Sequence, residues 1–373
     1  MRSKNLQMQI LSEMIYVVAL SYKIKKHHLH TSKRSKGIEM NYGKLNEDIY
    51  ERSVVKVIKN NSIENKKFYH GAGIGDFCVI FPYENDNALL SAQASAGGKH
   101  AVKRAYEAAL NGIAARCGSL QSGHHTYAQI SLFAPERLRE IKVREMLAET
   151  AQRADELQIP IMGVNVQVLP WIGMETAVCV IHAECRDLIP VQRAAPGEDI
   201  VMTKWIGLEG TALIAESNSD RLKERYPSDL VDEAADFLRY ASVLREAATA
   251  VKSGASYMQA VREGGIFKGL WELAANNSVG LVADLKSIPV RQETIEVCEY
   301  FDLNPYELMA GGSLLFTAPN GKDCVQKLMD EGISAAVIGT VTEGNDRIIR
   351  HEDESRFLEP AKGDEIYKID RKG

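Results

Sequence analysis

The chain has 373 residues, 45% of them hydrophobic and 25% charged, with 28 Gly and 11 Pro. At ~150 residues per domain this is enough for two domains with conventional cores, and the composition excludes a disordered, collagenous or multi-span membrane chain. The formal net charge of −5 is uneven: residues 1–39 carry +6, which leaves −11 on residues 40–373 and argues against a nucleic-acid-binding body.

Residues 1–39 place Arg2 and Lys4 before the apolar stretch Met14–Leu20 and then a basic block with His27, His28 and His30. The stretch is shorter than the ~18 residues a membrane span needs, and no small-residue cleavage site follows it. The segment reads as a solvated basic extension, with the folded body beginning at Met40 and no stable membrane insertion.

From there the pattern predicts a first amphipathic helix over Asn46–Ile58, capped by Asn46, and a glycine-rich turn at Gly71–Asp76. Strands follow at Phe77–Phe81 and Ala88–Ala94. Gly97-Gly98 opens a helix whose Val102, Ala105, Tyr106, Ala109, Leu110 and Ile113 repeat at helical spacing, giving one core-facing side. A strand over His124–Phe133, a helix from Pro135 to about Leu157, and strands over Ile161–Leu169 and Thr176–Ala183 complete the first half. The segment Asp187–Asp199, with Pro190, Pro196 and Gly197, is the best domain boundary.

The second half opens with a strand over Ile200–Lys204 and a helix start bracketed by Gly207 and Gly210. A charged helical block follows, broken at Pro227 and running to Lys252. Next come the helix Ile266–Ala275, the strand Val279–Leu285, the helix Arg291–Phe301, the strand Ser313–Ala318, the helix Gly321–Glu331 and the strand Ala335–Val341. Strands and helices intermix without strict alternation, so a mixed-sheet α+β or α/β arrangement in two comparable halves is expected, not a doubly wound sheet. The charged tail His351–Gly373 reads as a surface strap.

The six cysteines show no framework spacing, as in a reduced, intracellular protein. Cys179, His182 and Cys185 resemble a metal set, but on a strand His182 points away from the other two, so they read as core thiols. Adjacent His124 and His125 diverge likewise. Trp205, Phe267 and Trp271 lie near glycine clusters and read as core side chains before they read as base-stacking ones.

Four glycine clusters sit at turns or helix starts: Gly71/Gly73/Gly75, Gly97/Gly98, Gly207/Gly210 and Gly264/Gly265. Exposed N–H groups at helix N-termini make each a candidate anion site, although a tight turn explains any one of them. Neither a Rossmann context nor a Walker A sequence accompanies them.

The order of these clusters, with Val201–Gly210 (Val-Met-Thr-Lys-Trp-Ile-Gly-Leu-Glu-Gly), Gly264-Gly265-Ile266, Ile288-Pro289-Val290-Arg291 and Ala336–Val341, resembles the AIR synthase (PurM-like) superfamily, in particular its HypE-type hydrogenase-maturation members. The resemblance implies an AIR synthase N-terminal-like domain over 40–186 whose sheet forms a barrel in a homodimer, a linker over 187–199, a C-terminal-like mixed-sheet domain over 200–350 and a tail over 351–373. It further implies a cytoplasmic protein using ATP and magnesium to phosphorylate a carbonyl or amide oxygen of a small-molecule substrate, or working with a maturation partner protein. The nucleotide- and phosphate-binding candidates it marks are Gly73, Gly75, Asp76, Gly97, Gly98, Lys99, Lys204, Gly207, Glu209, Gly210, Gly264 and Gly265, with Asp76 the metal candidate.

The sequence departs from the family pattern where the chemistry lies. The terminal cysteine of the HypE type is absent, and the expected carboxylates read Phe77, Gln93 and Gly112. A Gly-Gly-Asp-Thr-like turn reads Met162-Gly163-Val164-Asn165, an Asp-His pair reads Leu208-Glu209, and a His-Asp-x-Thr segment reads Gln259-Ala260-Val261-Arg262. Two expectations follow. Either the site is rebuilt from Lys99, Lys204, Glu209, Arg262, Glu263 and Glu272, or catalysis is lost and the fold serves as a dimeric binding protein.

Overall fold

The computed structural model of the chain describes residues 45, 47–56, 78–83, 86–118, 126–185, 188, 194–360 and 363–371. The basic extension, the first glycine turn with Gly73, Gly75 and Asp76, Ile58, Phe77, His124, His125 and most of the 187–193 stretch lie outside these residues.

The expected first helix is a short α1 (Glu47–Tyr50) running into a π turn over Glu51–Val55. A five-stranded mixed sheet follows: β1 (Cys78–Tyr83), β2 (Asp86–Ala96), β3 (Tyr127–Ala134), β4 (Ile161–Val168) and β5 (Thr176–Cys185), in the order β1-β2-β5-β3-β4. Helix α2 (Ala101–Cys117) covers one face, and α3 (Glu140–Leu157) is the crossover that joins the parallel pair β3 and β4. Pro135 lies a turn ahead of α3 instead of opening it. Strict burial alternation along β5 puts Ala177, Cys179, Ile181, Ala183 and Cys185 in the core and His182 on the other face, as the period of two requires.

The second sheet has seven strands: β6 (Asp199–Thr203), β7 (Tyr257–Val261), β8 (Gly280–Asp284), β9 (Ser313–Ala318), β10 (Ala335–Thr342), β11 (Arg347–His351) and β12 (Glu354–Phe357). Their order is β12-β11-β8-β10-β6-β9-β7, antiparallel throughout except β11 with β8. Between them run α4 (Leu208–Ser217), α5 (Ser219–Lys223), α6 (Ser228–Ala235), α7 (Leu244–Lys252), α8 (Gly265–Asn277), α9 (Gln292–Phe301) and α10 (Gly321–Asp330). One face packs Met202, Leu281 and Leu315 against Ile266, Leu270 and Leu273 of α8. The other packs Val201, Leu314 and Phe316 against Ala247 and Ala250 of α7 and Leu328 of α10.

Three features depart from expectation. Strand β7 escaped the pattern because Tyr-Met-Gln-Ala-Val is buried at four of its five positions and does not alternate. The hairpin β11–β12 runs into the expected tail; past it, Asp364 and Glu365 are buried and a 3₁₀ segment spans Glu365–Arg371. The cysteines are not all free thiols: Cys117, closing α2, is disulfide-bonded to Cys185, closing β5, with Cα atoms 6.2 Å apart. Their sequence separation of 68 hides that contact from any spacing rule.

No helix among the described residues is long and apolar enough to cross a membrane.

Candidate functional site

Helix α2 is the element both halves share. Val102, Tyr106, Leu110 and Ile113 face the first sheet, while Ala114 and Ala115 join the core beside the second. It is therefore buried nearly all round, where periodicity predicted one apolar side. The extra buried face carries Arg104, Glu107 and Asn111, spaced i, i+3 and i+7. Asn111 accepts from the Val243 N–H (2.9 Å) and donates to the Ala241 carbonyl (2.7 Å). Glu107 accepts from Arg153 Nε of α3 at 2.6 Å. Sequence reading singled out none of these three, although three polar residues at helical spacing on one helix were a usable signal.

Arg104 belongs to the main polar cluster, whose centre is Glu209 in the first turn of α4. The Glu209 carboxylate accepts from Arg104 Nη1 at 3.3 Å and from Arg262 Nε at 3.2 Å. Arg104 also donates through Nη2 to the Ala96 and Gly97 carbonyls, both at 2.7 Å. Arg262, between β7 and α8, reaches across to β2. It donates to the Ala94 carbonyl at 2.7 Å, to the Ser95 hydroxyl, and to the Gln93 side chain at 3.5 Å. The start of α4 and the β7–α8 turn of the second half are thereby tied through one carboxylate to α2 and the end of β2. Gly311 leaves room for it, since a Cβ there would overlap Glu209 Oε2.

Burial alone would raise the Glu209 pKa; the Arg262 and Arg104 guanidiniums outweigh it and hold the carboxyl below its ordinary range. Burial opposes charge on Arg262 too, but Glu209 reverses that and the net shift is upward. For Arg104 burial prevails and the shift is downward, with the nearby Arg262 charge adding to it. Beside the cluster lies a cavity of about 40 Å³, lined by Gln93, Arg104, Glu107, Asn111, Glu209 and Arg262 among others. Arg104 Nε and Glu107 Oε2 have no hydrogen-bond partner among the described residues. A space of this size suits a water or two.

The remaining predicted site residues separate. Lys204 is buried, and its ammonium donates to the Tyr240 carbonyl (3.0 Å) and the Ser242 carbonyl (2.5 Å) and pairs with Glu246 (2.6 Å), so all three of its protons are engaged within the chain. Burial lowers its pKa more than Glu246 raises it. Lys99 is exposed and pairs with Glu216 at 3.0 Å. Gly207 and Gly210 lie against Leu308, and Gly265 against the Tyr306 and Leu308 carbonyls, so their lack of side chains serves packing against the 305–309 segment. The Gly264 N–H donates to Asp364 Oδ2 at 2.6 Å: a carboxylate of this chain already sits at the start of α8. A Cβ added to Gly97 or Gly98 would meet nothing closer than Met174 Sδ at 3.4 Å. Glu263 accepts from the Tyr367 hydroxyl at 3.3 Å, and Glu272 is buried. Phe267 stacks on Tyr306, Arg291 lies over Trp205 and Arg347 over Trp271, so the aromatics are packed within the protein.

Magnesium is bound by hard oxygen ligands. Here the Glu209 carboxylate is bound to two guanidiniums and the Glu107 carboxylate to Arg153, the same cavity is lined by Gln93, Gly112 and Gln259, and no group of three or more His, Cys, Asp or Glu suited to a metal occurs among the described residues. The described donor set does not fit a magnesium ion.

Residues 195–352 match the sequence profile of the AIR synthase related protein, C-terminal domain. The chain is 27% identical over 164 residues to the carbamoyl dehydratase HypE of Rhizobium leguminosarum bv. viciae, and 25% over 189 residues to that of Azotobacter vinelandii. These matches take in 42% and 48% of this chain and 44% and 52% of those proteins, about half of the curated relatives' length. Among solved structures, HypE from a HypE–HypF complex superposes with a TM-score of 0.63 at 12% identity, covering 83% of this chain and 99% of that one. AaThiL complexed with AMPPCP and TMP gives 0.63 at 19%, covering 87% and 99%. HypE in complex with ATP gives 0.60 at 17%, covering 73% and 84%. At these identities the superpositions establish the fold. With the profile match across the second sheet, they show a chain whose fold resembles that of the AIR synthase (PurM-like) superfamily, its HypE type in particular.

Proposed function

We propose that this chain is an AIR synthase/HypE-related protein that works as a homodimeric nucleotide- or anion-binding partner protein, without metal-dependent phosphoryl transfer at its junction. The observation that carries this reading is the Arg104–Glu209–Arg262 bridge: two guanidiniums and one carboxylate, almost wholly buried, stand where the family pattern leads one to look for magnesium carboxylates. A guanidinium supplies positive charge and directed N–H donors but cannot activate a phosphate as a divalent ion does.

A second reading, ATP-dependent activation of a carbonyl or amide oxygen by phosphorylation, draws on the relatives, among them carbamoyl dehydratases and structures holding ATP or AMPPCP. The HypE–HypF complex likewise suggests a maturation protein as partner, and a cytoplasmic setting accompanies both readings.

Calorimetric titration with ATP, in magnesium and in EDTA, separates the two. The first reading predicts equal affinity in both media and no phosphate release. Binding that appears only with magnesium, with turnover, would establish the second.

A further inference from the structure

Cysteines without a framework spacing belong to a thiol-keeping setting, yet two of the six are joined. Cys78, Cys179, Cys298 and Cys324 are buried free thiols, and Cys117–Cys185 is the one disulfide among the described residues. Small domains built on disulfides are dense in them, whereas the bonds that occur in a reducing setting are usually transient, catalytic or redox-sensing. The core does not need this bond to close. Both cysteines sit in an apolar cluster with Tyr106, Leu110 and Ile181, where a reduced cysteine packs as a small hydrophobe. Nor do the other thiols compete for it. Burial pushes Cys179 and Cys298 up to about 12 and Cys324 upward as well, so these groups stay protonated and do not attack a disulfide.

The position gives the bond something to control. Cys117 is the last residue of α2 and Cys185 the last of β5, so the bond clasps a helix end to a strand end. That last turn of α2 is also seated on the second half. Ala114 and Ala115 share a core with Ala247 and Ala250 of α7 and Met258 of β7, Arg116 lies over the Tyr257 ring at 5.6 Å, and a Cβ on Gly118 would overlap Val251. Helix ends fray unless something ties them down. We infer that Cys117–Cys185 is a reversible thiol–disulfide clasp: closed, it holds the end of α2 against α7 and β7; open, it lets that turn fray and loosens the contact between the halves. Closing consumes one low-molecular-weight disulfide, such as glutathione disulfide. One protein thiolate attacks it and expels a glutathione thiolate; the second attacks the protein sulfur of the mixed disulfide, forms the Cys117–Cys185 bond and expels the other glutathione. Two electrons pass from the pair to glutathione, whose two thiolates take up the two protons. Opening is the reverse.

Two measurements on the full chain test this. After incubation in oxidised or in excess reduced glutathione, maleimide labelling of the denatured protein is expected to count four thiols in the first case and six in the second. Hydrogen exchange in 244–252 and 257–261 is expected to run severalfold faster in the open state. Strand β11, toward the far end of the second sheet from β7, should not change. The double variant Cys117→Ala/Cys185→Ala should exchange as the open state does and ignore glutathione. A bond that survives excess reduced glutathione, or a pair that stays reduced in the oxidised form, would overturn the clasp. Equal exchange at α7 and β7 in the two states, or an equal rise at β11, would also overturn it, since the bond would then have no particular hold on the contact between the halves.

Discussion

Two glycine pairs open helices in this chain and look alike in sequence, yet the folded protein treats them differently. Gly97-Gly98 leads into α2 with space around it: a Cβ on Gly98 would meet only Leu213, at 3.8 Å. Gly264-Gly265 leads into α8 under the 305–309 segment, where a Cβ on Gly265 would overlap the Tyr306 carbonyl, and Asp364 holds the first N–H. The first turn is permissive and the second is filled. A glycine-rich helix start is thus as readily a packing device as an anion cradle, and only its neighbours decide which. The two regions meet at Glu209, held by Arg104 six residues past one glycine pair and by Arg262 two residues before the other.

Substitution at that meeting point carries the largest expected effect. Glu209→Ala leaves two buried guanidiniums without their counter-charge and should cost about 3–5 kcal/mol, read from urea unfolding. A loss below about 1 kcal/mol would mean water reaches the junction freely. Gly265→Ala should cost about 3 kcal/mol, from overlap with backbone and a φ of +64°. Equal losses at Gly265 and Gly98 would erase the contrast between the turns.

Asp364 sharpens it in another way. Burial outweighs three backbone N–H donors and pushes its pKa up to about 7, from 3.8. Because the folded value lies above the unfolded one, the fold binds this proton more tightly. The stabilisation is complete below about pH 4 and lost as the pH rises through about 7. Asp364→Asn should flatten the stability profile over that window. If the wild-type slope there persists in the variant, Asp364 is not its source.

Gly98→Ala is expected to cost about 1 kcal/mol, from its φ of +79° alone. Lys99→Ala, on a side chain 62% exposed, should change stability by less than about 0.5 kcal/mol. A clear loss of ATP affinity in Lys99→Ala, with stability unchanged, would favour an open phosphate site at the first turn.

The architecture was largely legible in the chain because it is written locally. The repeat through Val102 and Ile113 marked α2, and alternation around Cys179 marked β5 and correctly separated His182 from the cysteines. What escaped was non-local: β7, buried without alternation; the Cys117–Cys185 bond; and the reach of Arg262 from the α8 turn to β2, 167 residues away at Ser95. The departures at Gln93, Gly112 and Ala260 were visible as missing carboxylates. That an arginine pair would gather around Glu209 was not, because nothing in the local pattern singles out Arg104 on its helix.

The central claim is that Glu209 is bound by guanidiniums as a closed bridge between the halves. A double-mutant cycle between Glu209→Gln and Arg262→Met, read from denaturant unfolding, measures that coupling directly. The bridge predicts an interaction energy of about 1.5 kcal/mol or more, within the ~0.5–3 kcal/mol seen for contacting pairs. Additivity within about 0.5 kcal/mol would contradict it.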